Sequence, residues 1–467
     1  MPAISNLDNA ELGNDRRADH TGTNPGSRVT FAKTLIFVVL ARVLLATLVW
    51  QAYGWSGFIH DDTASYVDSA RSLLHGEFSR DGEPEIFRTP GYPAALIPSV
   101  LFRNFELPAL LENFLFTALG VWLVYRIANE LLPGSHAAIW AAALYGFEPL
   151  SLLNSEKLIT EPLFTAQLLL FVWLMTRFLR KPTYRTLLLA ALAAGAATYT
   201  RPVLTFLALW LTPLLVFFPR TLTLRQRLAS AIVFPLVFGV SLTPWLLRNH
   251  FVAGYPGFAT VSDYNLYFCS AAAVEAKVDH VSFAELNDAR QYLQRHPEQR
   301  TWTPAQISIF QTKSAQRVLS QHAFSYIPIH LKGSLVVLFD PGIAEVKLLH
   351  LLPERTGLFA ASQDLGLFRS MLRFIKSHRF AASVLFLLEV LLLLYYWFGL
   401  VGLRHLPLEI GLFFGMLVLY FTLACGGPCA SARYRIPIMP LVCIAAAACI
   451  HQRNSTFTPT VSSTLPL

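Results

Sequence analysis

Charge is scarce in this chain. Of 467 residues only 14% are Asp, Glu, Lys or Arg, while 54% are hydrophobic. That balance, with a mean hydropathy of +0.46, excludes an ordinary soluble globule. Cysteine is also sparse. Cys269, Cys425, Cys429, Cys443 and Cys449 are odd in number and lie mostly in or beside apolar runs, so no disulfide framework is predicted. Cys425 and Cys429 stand four apart without a nearby His or further Cys, and His296 and His322 lack zinc-like spacing, which argues against a metal site. A Gly-rich phosphate loop, a Ser nucleophile elbow and an internal repeat are all missing. The net charge of +8 sits in short connections, where it sets topology and does not suggest nucleic-acid binding.

What is present comes in long apolar blocks. They predict an all-α polytopic membrane protein of about 10–12 transmembrane helices, at roughly 20 residues per crossing. The expected spans are 31–53, 107–131, 134–152, 162–180, 184–200, 202–218, 228–247, 382–403, 407–425 and 436–451. Residues 1–30 read as a disordered cytoplasmic tail and 454–467 as a second cytoplasmic tail. Between them lie a first module (31–249), an outer region with interfacial helices (250–381) and the C-terminal helices (382–453). No small-residue cleavage site follows the first apolar block, so it reads as a retained span. Residues 91–102 are apolar but too short to span, and 324–339 leave open whether they cross.

The basic loops give the direction. Arg177, Arg180, Lys181 and Arg185 fall in one connection, and Arg220, Arg225 and Arg227 in another two spans later. The positive-inside rule makes both cytoplasmic. Parity then gathers the loop 54–106, Glu156, Glu161, Arg201 and Arg248 on the outer face. Arg433 and Arg435 join them if 324–339 stay at the interface.

The first outer loop is the centre of this pattern. Asp61 and Asp62 precede Tyr66, Ala70 and Leu74 at helical spacing, and Arg88-Thr89-Pro90-Gly91-Tyr92-Pro93 follows. The plainer reading of Asp62 is an N-cap. The plainer reading of Arg201 and Arg248 is snorkelling to headgroups, and that of Glu161 a first-turn acid. Tyr92 reads most simply as a turn aromatic. Taken together, a carboxylate among arginines suits group transfer from a phosphate-linked donor. Arginines hold the phosphate, and the carboxylate takes the proton of an attacking hydroxyl.

At these positions the sequence resembles the membrane-embedded GT-C glycosyltransferases. Within them it is similar to the family of the protein O-mannosyltransferases and the bacterial aminoarabinose transferase. The likeness rests on Asp62-x-x-x-Tyr66, Arg88-Thr89-Pro90-Gly91-Tyr92-Pro93 and Thr160-Glu161-Pro162-Leu163. It continues through Thr200-Arg201-Pro202, Pro244-Trp245-x-x-Arg248-Asn249 and Arg433-Tyr434-x-x-Pro437. The resemblance implies a polyprenyl-phosphate sugar donor, a site on the extracytoplasmic face of the inner membrane, and inversion at the anomeric carbon. It makes Asp62 the catalytic acid residue of the first loop, with Asp61 second and Glu161 matching the second outer loop. Arg88, Arg201, Arg248 and Arg433 or Arg435 would hold the donor phosphate, and Tyr66 and Tyr92 would position substrate. No cofactor is firmly implied, and a divalent cation stays open. The acceptor is a lipid, a polysaccharide or a protein, and no large soluble domain after the last span points to the last of these. The rival class is a transporter or lipid flippase, which calls for ionisable groups at mid-span. A non-catalytic assembly protein that keeps the fold is the third reading.

Overall fold

The computed structural model describes residues 25–133, 136–344 and 375–455. Most of the expected N-terminal tail, the expected C-terminal tail from 456 on, and 345–374 of the outer region lie outside the described residues. Among the described residues six helices are long and apolar enough to cross a bilayer: Val29–Phe58, Glu106–Leu131, Glu161–Arg180, Leu224–Ala253, Arg379–Leu403 and Ala432–Ile450. Four apolar helices of 10–17 residues (Ala137–Gly146, Pro202–Phe217, Ala323–Phe339, Leu408–Ala424) accompany them, so fewer helices meet the length of a full crossing than the 10–12 expected. The only sheet among the described residues is a two-residue hairpin, Ser79–Arg80 against Glu83–Pro84.

One expected span breaks in two. The helix Ala137–Gly146 ends before Glu148, whose carboxylate accepts from the backbone N–H groups of Leu150 (3.3 Å) and Ser151 (2.6 Å) and so caps Pro149–Asn154. A capping carboxylate followed by Pro in the first turn outweighs the apolar continuity of the run. Arg42, within the first long helix, is an ionisable group that the loop-based reading passes over. It is fully buried, and its Nη1 donates to the Gly146 carbonyl (2.8 Å) and to its own Val38 carbonyl (3.2 Å), fastening that helix to the break.

Helices Glu161–Arg180, Tyr184–Thr200 and Leu224–Ala253 pack side by side around a buried apolar and aromatic core that includes Phe164, Phe171, Phe234, Phe413 and Phe421. Outward-facing Phe37, Leu44, Phe386 and Trp397 are exposed, as an apolar surface turned to lipid requires. Residues 91–102 form two short helices, Gly91–Ala95 and Ile97–Val100, with Tyr92 and Leu96 buried in a second core. A Cβ on Gly91 would come 2.6 Å from Thr200 Oγ1 and the Tyr199 backbone. Glycine therefore lets the Arg88–Pro93 segment lie directly against the end of the helix that delivers Arg201, and Thr89 Oγ1 donates to the Thr200 carbonyl (3.2 Å).

Candidate active site

Asp62 stands immediately before the helix Thr63–Leu74, where an N-cap would be, yet its side chain makes no cap hydrogen bond. It turns away, toward arginines. Arg88 Nη2 donates to Oδ1 at 2.7 Å and Arg433 Nη2 to Oδ2 at 3.3 Å. Arg88 is itself fixed by Ser65 Oγ (2.9 Å) and the Tyr66 hydroxyl (3.1 Å), and it lies over the Tyr66 ring at 4.5 Å. The turn that carries it is tied by Glu85, which accepts from the backbone N–H of Phe87 (2.6 Å) and of Arg88 (3.0 Å).

The chain of charges continues inward. Arg433 Nε lies 3.7 Å from Glu161 Oε1, and Arg201 Nη1 donates to the same oxygen at 2.8 Å. Glu161 is 3% exposed, so both of its partners are needed to keep its charge buried. The order is Arg88, Asp62, Arg433, Glu161, Arg201: three guanidiniums against two carboxylates, an excess of one positive charge with His60 neutral. His60 closes the group, with Nε2 3.1 Å from Arg433 Nη1 and Nδ1 3.4 Å from Asp62 Oδ2. Burial alone would raise the Asp62 carboxyl, but the Arg88 and Arg433 charges and the Arg88 hydrogen bond hold it down to about 2.

The three arginines, the two carboxylates and Tyr66 line a cavity of about 540 Å³. Its other walls bring Tyr264 from the outer region, Tyr326 and His330 from the helix Ala323–Phe339, and Cys269 and Cys429. The two cysteines form a disulfide, a pairing that the cysteine count, from which no disulfide framework was predicted, did not offer. The partners are 160 residues apart in sequence, so spacing could not pair them; folding brings the outer region against the loop before Arg433.

Of the sequence candidates, Asp62, Glu161, Arg88, Arg201, Arg433 and Tyr66 converge on this cavity. The contact of Asp62 with Arg433 puts the two on one face, the arrangement expected if 324–339 do not cross. Other candidates are not brought there. Asp61 is exposed. Arg248 donates to the carbonyls of Glu85 (2.7 Å) and Phe78 (2.6 Å), because the hairpin lies over its guanidinium. Arg435 turns to the Asp340 carbonyl on the far side of its short helix. Tyr92 is fully buried, edge-on to Tyr66 at 5.1 Å. It can support Tyr66 but cannot touch a ligand. Glu156 is buried too, and burial pushes its carboxyl up to about 8 against the pull of Arg42. Sequence reasoning missed His60 and Glu85, although both stand within three residues of a named candidate. Among the described residues no group of three His, Cys, Asp or Glu side chains could hold a metal ion. The two carboxylates that a cation would use are each engaged by two arginines.

Residues 92–246, about a third of the chain, match the family described as dolichyl-phosphate-mannose-protein mannosyltransferase. No curated protein sequence matches. Among solved structures, the archaeal oligosaccharyltransferase AglB from Archaeoglobus fulgidus, in complex with an inhibitory peptide and a dolichol-phosphate, aligns with a TM-score of 0.52 at 13% identity. The alignment covers 95% of this chain and 53% of that one, so the chain spans about half the length of the structure it matches. ArnT from Cupriavidus metallidurans bound to undecaprenyl phosphate aligns at 11% identity and a TM-score of 0.36, over 89% of this chain and 78% of that one. At such identities the AglB likeness is one of fold. In fold, and in sequence over residues 92–246, this multi-pass membrane protein resembles the GT-C superfamily of membrane glycosyltransferases.

Proposed function

We propose that the protein is an inverting glycosyltransferase that moves a sugar from a polyprenyl-phosphate donor to an acceptor hydroxyl on the extracytoplasmic face of the inner membrane. One observation carries the reading: the alternating row of three arginines and two carboxylates along one cavity. Such a row is poised for exchange. A phosphate monoanion or dianion competes for the guanidiniums by bidentate hydrogen bonds. As Arg88 and Arg433 turn to it, Asp62 loses the partners that hold its carboxyl at about 2 and becomes a better base.

The transfer then balances simply. The acceptor oxygen bonds to the anomeric carbon on the face opposite the phosphate, and its proton goes to Asp62. The bond from the anomeric carbon to the phosphate oxygen breaks. Arg88, Arg201 and Arg433 neutralise the departing polyprenyl phosphate. Glu161 bridges Arg201 and Arg433 through one oxygen and so holds both guanidiniums at the cavity wall. The dolichol-phosphate held by AglB supports a lipid-phosphate donor, and its peptide leaves a protein acceptor beside a lipid or a polysaccharide. The outward direction draws support from the basic loops and from the Cys269–Cys429 disulfide beside the cavity, since such bonds persist in oxidising compartments.

The test is transfer of label from undecaprenyl-phosphate mannose, glucose, galactose and aminoarabinose in membranes carrying wild type or Asp62→Asn. Transfer from at least one donor, lost in the variant at equal protein level, is expected. A wild type that consumes no donor and binds undecaprenyl phosphate no better than undecaprenol sinks the proposal. A transporter would instead move the lipid phosphate between leaflets without consuming a donor.

A further inference from the structure

His60 has no part in the transfer just described, yet it touches both sides of the row. An arginine nitrogen can only donate, so the 3.1 Å contact from Arg433 Nη1 needs the lone pair of His60 Nε2. The ring proton then sits on Nδ1, 3.4 Å from Asp62 Oδ2. The other tautomer would let Nδ1 accept from the Asp62 amide (3.2 Å) but would set an N–H against Arg433. A doubly protonated ring does the same and adds a second positive charge.

We propose that His60 is a positioning residue: its neutral imidazole holds Arg433 between Asp62 and Glu161, and its protonation, rather than that of Asp62, ends transfer on the acid side. The inference rests on the functional reading above. The charged groups that act on the ring are Arg433 from the segment before the last helix, Glu161 from the start of its helix, and Asp61 and Asp62 from its own loop. Burial, then Arg433, lower the imidazole below its ordinary value, against the pull of the three acids. The sign follows. Arg433 is held at neutral pH and is released as pH falls through a value below about 6.5, the unperturbed imidazole value. In the donor-free enzyme Asp62, held down to about 2, stays ionised throughout that range, so the acid limb is read in kcat/KM.

The experiment compares full-length wild type, His60→Gln and His60→Phe in membranes. Initial rates from undecaprenyl-phosphate mannose, or whichever donor of the panel is consumed fastest, are followed between roughly pH 4.5 and 8. Gln offers Arg433 an amide oxygen that does not titrate. Expressed against its own plateau, the acid limb of His60→Gln should move down by about one pH unit or more, or vanish. His60→Phe, with no acceptor, should be slow at every pH with an unchanged melting temperature. An acid limb in His60→Gln superimposable on that of wild type overturns the inference and leaves the transfer reading standing. Failure of wild type to consume any donor at any pH removes the transfer reading itself.

Discussion

Asp62→Asn separates binding from chemistry in a way that few other readings of this cavity allow. The carboxylate is held by Arg88 at 2.7 Å and by Arg433 at 3.3 Å, and together they hold its carboxyl at about 2. Relative to an unfolded value of 3.8, that depression corresponds to ~2 kcal/mol of stability. The stability is present above the unfolded value and lost as pH falls toward the folded one. The variant should therefore melt lower than wild type at pH 7, with the difference closing in acid. Its effect on ligands runs the other way. Asparagine keeps the shape but removes one negative charge, leaving three guanidiniums against Glu161 alone. A phosphate about 5 Å from the missing charge gains ~3 kcal/mol at an effective dielectric constant near 20, before screening and relaxation reduce it. Undecaprenyl phosphate should then bind about tenfold more tightly, to be read by titration in nanodiscs with undecaprenol as control. Transfer should fall by about 10²-fold or more, because the base is gone. Tighter binding with lost transfer is the signature. Weaker binding of the lipid phosphate, or transfer at wild-type rates, refutes the assignment of Asp62 as the base in competition with the phosphate for its arginines.

Three further outcomes follow from the same geometry. Arg433→Met leaves Asp62 and Glu161 with one arginine each; undecaprenyl-phosphate affinity and kcat/KM should both fall, the latter by ~10²–10³-fold, in the range for removing one preorganised charge donor. Cys269→Ser should lower thermal stability by ~2–4 kcal/mol and leave Cys429 as a free thiol; a membrane-impermeant maleimide added to intact cells should label it, and labelling only after permeabilisation contradicts the outward direction. Glu156 binds its proton more tightly when folded, so wild type should lose stability as pH rises from about 4.5 through about 8, while Glu156→Gln should show a flatter melting profile over that window.

The class of this protein was written in its composition. Long apolar runs with scarce charge have no soluble solution, because a backbone in lipid must satisfy its own hydrogen bonds and so forms helices. Charge at the loops gave parity, and parity gathered Asp62, Glu161 and Arg201 on one face before any contact was known, with Arg433 joining them only if 324–339 stay at the interface. Sequence could not say which of the gathered arginines touch. Arg248 and Arg435 carry the same charge as Arg201 and Arg433, but their guanidiniums end on backbone carbonyls, a matter of helix rotation and of where the hairpin lies. The break at Glu148 was local chemistry overshadowed by a hydropathy window. The disulfide and the role of His60 could come only from the fold. Cys269 and Cys429 are 160 residues apart, and His60 meets Arg433 across 373 residues. Periodicity and hydropathy decide what a segment becomes, and loop charge sets the side of the membrane expected for it. Only tertiary packing decides which side chains of different segments come within hydrogen-bond reach.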